Sequence, residues 1–169
     1  TSRNRAISEF DADYYTFLDS DDWMHPSRVR MHMDHMRSHG VVASTSKWLR
    51  MDEHGYCMPL RAGGYLHENP GSLFIRREVV DQIGFFDSVR VGADSEYAWR
   101  VRYRFGAQAI QELEQPLTIG LHHSQSLTQS GAAAFDENRY SPVRARYWDA
   151  WTDWHIKAGL QDVERLYIP

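Results

Sequence analysis

The sequence predicts an α/β fold, a mixed sheet with flanking helices and one long C-terminal helix. Three observations carry this expectation. The apolar run at residues 14–18 ends in a cluster of acids, the pattern of a buried strand whose carboxyl end opens on a ligand-binding edge. Strand-like runs alternate with helical patterns that stop at Gly40, Gly84 and Gly106. The tail at residues 137–160 reads as a single helix bearing Trp148, Trp151 and Trp154.

In chain order, residues 3–10 read as the end of a helix, with Ala6, Ile7 and Phe10 on one side. Asp11, Ala12 and Asp13 form a turn, and residues 14–18 the first strand. Pro26 suits the first position of a second helix running to about His39, where Val29, Met33 and Met36 recur at i, i+4 and i+7 as the core face. Residues 41–48 read as a strand, 52–55 as a turn and 56–60 as a short return strand. The Gly-rich stretch 61–64 and the Asn69-Pro70-Gly71 triplet read as loops. Residues 72–75 are again strand-like, and 77–83 form a short helix. Residues 95–105 are helical, with Tyr97, Val101 and Phe105 on one face, and 107–111 and 117–121 are strand candidates. The expected organisation is one domain, with an α/β core at 1–130 and a helical extension at 131–169.

Bulk properties narrow the function. At 169 residues the chain is long enough for a true core, and 42% apolar with 25% charged residues is ordinary for a globular protein. A net charge of -4 argues against nucleic acid as a partner, because no basic excess neutralises phosphates. Cys57 is alone, so no internal disulfide forms and a reducing, cytoplasmic setting is the expectation. No apolar run approaches the roughly 20 residues of a membrane span, which leaves peripheral contact with the inner face of a membrane open. The abrupt start, Thr1 to Arg5 leading straight into a helix, gives the expectation of an excised piece.

Four groups of residues could carry chemistry. Asp19, Asp21 and Asp22 follow the first strand directly, with Asp13 before it. Alternate residues of an extended chain point the same way, so Asp19 and Asp21 can converge. Two hard oxygen ligands with water positions left over suit Mg2+ or Mn2+ carrying a substrate's phosphates, and three adjacent acids repel one another without a cation. A solvated turn is the plain alternative. An EF-hand is excluded, because its sixth and twelfth positions would be Met24 and Arg30. Asp94 and Glu96 open a helix, where capping accounts for both, or where Asp94 acts as a general base at the helix mouth. His122 and His123 follow a strand and are either structural or a third metal ligand. His32, His35 and His39 lie at i, i+3 and i+7 and read as a solvated flank.

These pieces, in this order, resemble the second half of an inverting family-2 glycosyltransferase. Ser2-Arg3-Asn4-Arg5-Ala6-Ile7 resembles the family's ARNxG helix. The run from Tyr15 through Asp19-Ser20-Asp21-Asp22-Trp23, with Pro26 and Arg28 following, resembles its strand, acidic turn and helix. Ser72-Leu73-Phe74-Ile75-Arg76-Arg77-Glu78 and Ile83-Gly84-Phe85-Phe86-Asp87 resemble its FRRE and IGxFDE segments. Gly92-Ala93-Asp94-Ser95-Glu96 resembles GEDxD, and His123-Ser124-Gln125-Ser126-Leu127-Thr128 resembles HxxSLT.

The resemblance implies a partial GT-A (nucleotide-diphospho-sugar transferase-like) fold, a nucleotide-sugar donor, a carbohydrate or lipid-linked acceptor, and Mg2+ or Mn2+. It implies Asp21 as the firmer metal ligand and Asp19 as a ligand nearer the donor's ribose. It also implies His123 near the metal or diphosphate, Arg3 near the nucleotide and Asp94 as catalytic base. Ala93 departs from the pattern by replacing the acid before the base. The family's first, nucleotide-binding half has no counterpart here, which gives the expectation of an unpaired sheet edge open to another copy of the chain. The competing readings are a glycosyltransferase-like binding or scaffolding module, and a metal-dependent phosphohydrolase or nucleotidyltransferase, which lacks a nucleophile motif.

Overall fold

The computed structural model describes residues 1–60, 62–123, 126, 130–138 and 140–169. Its centre is a five-stranded mixed sheet of strand order β1-β4-β3-β5-β2. The strands are β1 (Tyr14–Thr16), β2 (Trp23–Met24), β3 (Ala43–Asp52), β4 (His67–Arg76) and β5 (Ile110–His122). β1 runs antiparallel to β4, β4 to β3, and β5 to β2, while β3 and β5 are parallel. The helices are α1 (Ser2–Glu9), α2 (Arg28–His39), α3 (Arg77–Ile83), α4 (Ala93–Phe105) and α5 (Pro142–Gln161), followed by the 3-10 turn Val163–Leu166. None of the described helices is long and apolar enough to cross a membrane.

β1 and β2 lie at opposite edges of the sheet although only six residues separate them. The acidic turn is therefore stretched across the end of the sheet, closed by the Asp22 N–H bonding Asp19 O at 3.1 Å. The expected edge strand is β1, which pairs with β4 alone among the described strands. It is shorter than expected, because pairing with β4 ends at Thr16 and the chain then turns toward β2.

Several expectations need correction. The Asn69-Pro70-Gly71 triplet lies within β4, at a bulge where pairing with β3 skips from Ser44–Phe74 to Ser46–Asn69. The Ser72 hydroxyl holds that bulge, accepting from the Ser46 N–H at 2.8 Å and donating to Asn69 O at 2.6 Å. Residues 56–60 form no strand, only the Met51–Cys57 bridge. The two late strand candidates are one long strand, β5, whose register with β3 shifts near Lys47. The last helix begins at Pro142 rather than at residue 137, with Pro in its first turn.

On α2 the buried stripe is Arg28, His32 and Met36, whereas Val29 is 41% exposed. His32 is not on a solvated flank, because its ring stacks on Phe74 and its Nδ1 bonds Ser44 Oγ at 2.7 Å. Phe10 likewise projects from α1, leaving Ile7 as that helix's buried anchor.

The main core joins Ile7, Tyr15, Ile75, Val79, Ile83, Phe86, Tyr97 and Val101, between one face of the sheet and helices α3 and α4. α5 packs against α4 through Trp151, His155 and Ala158, spaced at i, i+4 and i+7. A buried ionic network joins the two helices. Glu96 receives two hydrogen bonds from Arg100, at 2.8 and 3.0 Å, and its Oε1 lies 2.8 Å from His155 Nε2. Arg100 also donates to the carbonyls of Ile83, Phe85 and Leu166. Gly84, at φ 73°, pairs with Ile168 beside it, where any Cβ would collide with the Ile168 carbonyl.

Candidate active site

At the end of the sheet a cavity of about 480 Å3 opens between the acidic turn, the β4 bulge and the start of α4. Its lining includes Arg3, Asp19, Asp22 and Asp94, so three segments distant in sequence meet around one space. The size falls within the range of small-molecule sites, about 300–1,000 Å3.

Arg3 is placed by its neighbour. The Asn4 side chain donates to Phe86 O at 2.8 Å and accepts from the Phe86 N–H at 3.0 Å, fixing α1 to the loop before α4. The Arg3 guanidinium then lies against the rings of Phe17 and Phe86 and donates to Asp19 Oδ1 at 3.3 Å. Arg28 holds the chain just before the turn. It is fully buried, and its Nη2 reaches Thr16 Oγ1, Phe17 O and Ser72 O at 3.0–3.2 Å.

Within the turn the three acids have different surroundings. Asp19 is exposed and faces Arg3, while Asp21 lies 3.3 Å from His123 Nε2. Asp22 is half-buried, and its carboxyl is pushed up to about 6, first by burial and then by the charges of Asp19 and Asp21. A hydrogen bond from the Leu121 backbone and the Arg50 guanidinium oppose that rise. Gly120 makes the approach of Asp22 to the sheet feasible, since a Cβ there would fall 2.6 Å from Cε3 of Trp48 and 3.3 Å from Asp22 Oδ1.

Asp94 lies in the first turn of α4 but does not cap it. The cap residue is Gly92, and Asp94 Oδ1 instead accepts from the Ser95 N–H at 2.9 Å. Its other oxygen faces Gly71 of the bulge, 3.9 Å from where a Cβ would stand. The guanidinium of Arg144, shifted down by its own burial, is drawn back up by the Asp94 charge. Glu96, two residues on, points away into the buried network and takes no part in the cavity. Its burial with Arg100 and His155 replaces the capping role expected for it.

The cavity thus unites Arg3, Asp19 and Asp94, while Asp21 and His123 pair beside it and do not line it. Among the described residues no three His, Cys, Asp or Glu side chains come together as a group that could hold a metal ion. The Asp21–His123 pair nonetheless fits a divalent ion. It offers one hard oxygen and one imidazole nitrogen, with positions left open for further ligands. Residues 124, 125, 127 and 128 of the HxxSLT-like segment lie outside the described residues.

Sequence reading overlooked part of the lining. Trp48 and Thr118 come from within β3 and β5, and their side-chain Nε1 and Oγ1 are buried without a partner among the described residues. No local pattern marks them, because only the β3–β5 pairing brings them together. Asp22 was visible as part of the acidic turn, but its inward direction depends on Gly120, far along the chain.

A mixed α/β sheet with an acidic turn across its end and a helix-borne aspartate facing that turn defines a protein of the partial GT-A type. Residues 1–98 match the family described as glycosyl transferase family 2, and the chain belongs to that family. No curated protein matches the chain. Family membership makes it a glycosyltransferase-like protein, of a kind that commonly binds a nucleotide-sugar donor and an acceptor and uses a divalent metal.

Proposed function

We propose that the chain carries out the diphosphate-anchoring and acceptor-activating steps of an inverting, sugar-nucleotide-dependent glycosyl transfer. The observation that carries this reading is the shared cavity, with Asp19 and Asp22 on one wall and Asp94 on the other. Asp94 takes the proton of the acceptor hydroxyl. The freed oxygen attacks the anomeric carbon as the bond to the nucleoside diphosphate breaks, inverting that carbon. Asp21 and His123 would hold Mg2+ or Mn2+, with Asp19 nearer the donor's ribose, and the ion would offset the negative charge gathering on the departing diphosphate. Arg3 orients Asp19 and adds positive charge on the same side. The unpartnered Trp48 Nε1 and Thr118 Oγ1 are suited to bond the donor's hydroxyls on the cavity floor.

Calorimetric titration of uridine and guanosine diphosphates with Mn2+ tests the reading, on the chain and on Asp21→Ala. Metal-dependent binding that disappears in the variant is the expected result. Absence of binding at millimolar ligand refutes it. A binding module without catalysis is the second reading, favoured by Ala93, which lines the cavity where the family pattern has an acid. Diphosphate binding with no turnover of any sugar nucleotide would select it.

A further inference from the structure

A second hollow of about 330 Å3 adjoins the catalytic cavity and shares Val91, Gly92 and Arg144 with it. Its other walls are largely aromatic, with Trp148, Trp151 and Tyr140 among them. These residues come from α5 and the segment before it, beyond residue 98 where the family match ends. The aromatic walls of the hollow therefore come from the part of the chain that the shared family pattern does not cover, while Val91, Gly92 and Ser95 belong to the matched part.

Two features indicate what it holds. Trp148 lines the hollow and is 46% exposed, and its indole is braced edge-on against both Trp99 and Trp151. Ser141 is only 2% exposed and lines the same hollow, yet its hydroxyl has no partner among the described residues. It occupies the cap position of α5, where a serine hydroxyl ordinarily bonds the first turn, and makes no such bond. A buried hydroxyl left unpaired beside a partly exposed indole suits a ligand with both an apolar face and a hydroxyl rim. A pyranose ring has both. An alkyl chain would cover the indole and leave the Ser141 hydroxyl unsatisfied.

We propose that this hollow is an acceptor subsite for a saccharide, in which one ring stacks on Trp148 and bonds Ser141 Oγ. The continuous lining through Gly92 then delivers the hydroxyl of the neighbouring ring to Asp94. The binding claim stands on the hollow itself, and the delivery to Asp94 rests on the transferase reading above.

Saturation-transfer NMR on the full chain tests it. The probes are methyl glycosides of glucose, galactose, mannose and N-acetylglucosamine, their disaccharides, and octanoate as the alkyl control. At least one saccharide is expected to bind in the absence of donor. Trp148→Ala should weaken it about tenfold, the size of one aromatic contact, and Ser141→Ala should weaken it as well. Uridine diphosphate binding with Mn2+ should be unchanged in both variants. Saccharide binding that neither variant alters overturns the proposal, as does binding of octanoate alone or of no probe at millimolar concentration. Saccharide binding that Trp148→Ala removes, in a chain that never binds the diphosphate, supports the subsite and refutes the transferase reading.

Discussion

Asp94 and Gly120 illustrate how much single residues decide here. Asp94 is free of the capping duty that its sequence position suggested, because Gly92 occupies the cap. Its carboxylate is left facing the cavity with one oxygen uncommitted to its own helix. Asp94→Asn should lower nucleoside diphosphate release from sugar nucleotides by about 10²–10⁴-fold, the usual contribution of a general base, with diphosphate affinity retained. Equal losses in affinity and turnover would instead make Asp94 a binding residue. Gly120 acts through Trp48 and Asp22, which line the cavity. Gly120→Ala drives a methyl group into Trp48 and toward Asp22, and overpacking of that kind costs about 1–3 kcal/mol. A lowered urea midpoint together with weakened diphosphate binding is the expected pair of effects. A fully stable variant would show that the Trp48 ring can step aside.

Between elements, the contact of α4 with α5 and the chain end is organised by charge. Arg100 has neither charge nor guanidinium exposed to water, and it satisfies Glu96 and three backbone carbonyls at once. Arg100→Met should cost about 3–5 kcal/mol, because Glu96 and those carbonyls would be left buried without their donor. Replacing Glu96 and Arg100 together by Met should recover part of that loss, as removing a whole buried pair leaves no stranded charge. Urea unfolding of the single and double variants measures both. A single variant losing under about 1 kcal/mol would mean that water replaces the guanidinium. The same network explains why Glu96 misled at the sequence level. An acid in the first turn of a helix is ordinarily a surface feature, and only the arrival of α5 buries it.

For the molecule as a whole, stability should carry the mark of a neutral histidine. Burial holds the His32 imidazole down at about 3, and the neighbouring Arg28 and His35 act in the same direction. Its Nε2 has no hydrogen-bond partner among the described residues. The unfolded chain therefore takes up that proton first, so the contribution is complete above the ordinary value of 6.5 and drains away as pH falls from there toward 3. His32→Gln should flatten the decline of the urea midpoint over that interval, and an unchanged slope would transfer the effect to other groups.

This histidine also marks where sequence legibility ends. Helix stops at Gly40, Gly84 and Gly106, the strand before the acids and the α3 boundaries were readable, because each follows from local chemistry. The burial of Arg28 and His32, the bulge at Asn69 and the cavity floor were not, because each depends on which strands become neighbours. The acidic turn was readable as chemistry, but the inward direction of Asp22 was not.

The path of that turn has a consequence for folding. It is tethered at one end to an edge strand and at the other to the opposite edge, so its curvature is fixed only once β4, β3 and β5 stand between them. The parallel β3–β5 pairing is long-range and intrinsically slow to form. The span of the turn between the two edges thus depends on the assembled sheet, and a half-zipped sheet does not hold its two ends in place. A ligand bridging the turn would act as a clasp, favouring the assembled sheet by mass action and lengthening the life of the folded chain in proportion to how tightly it binds.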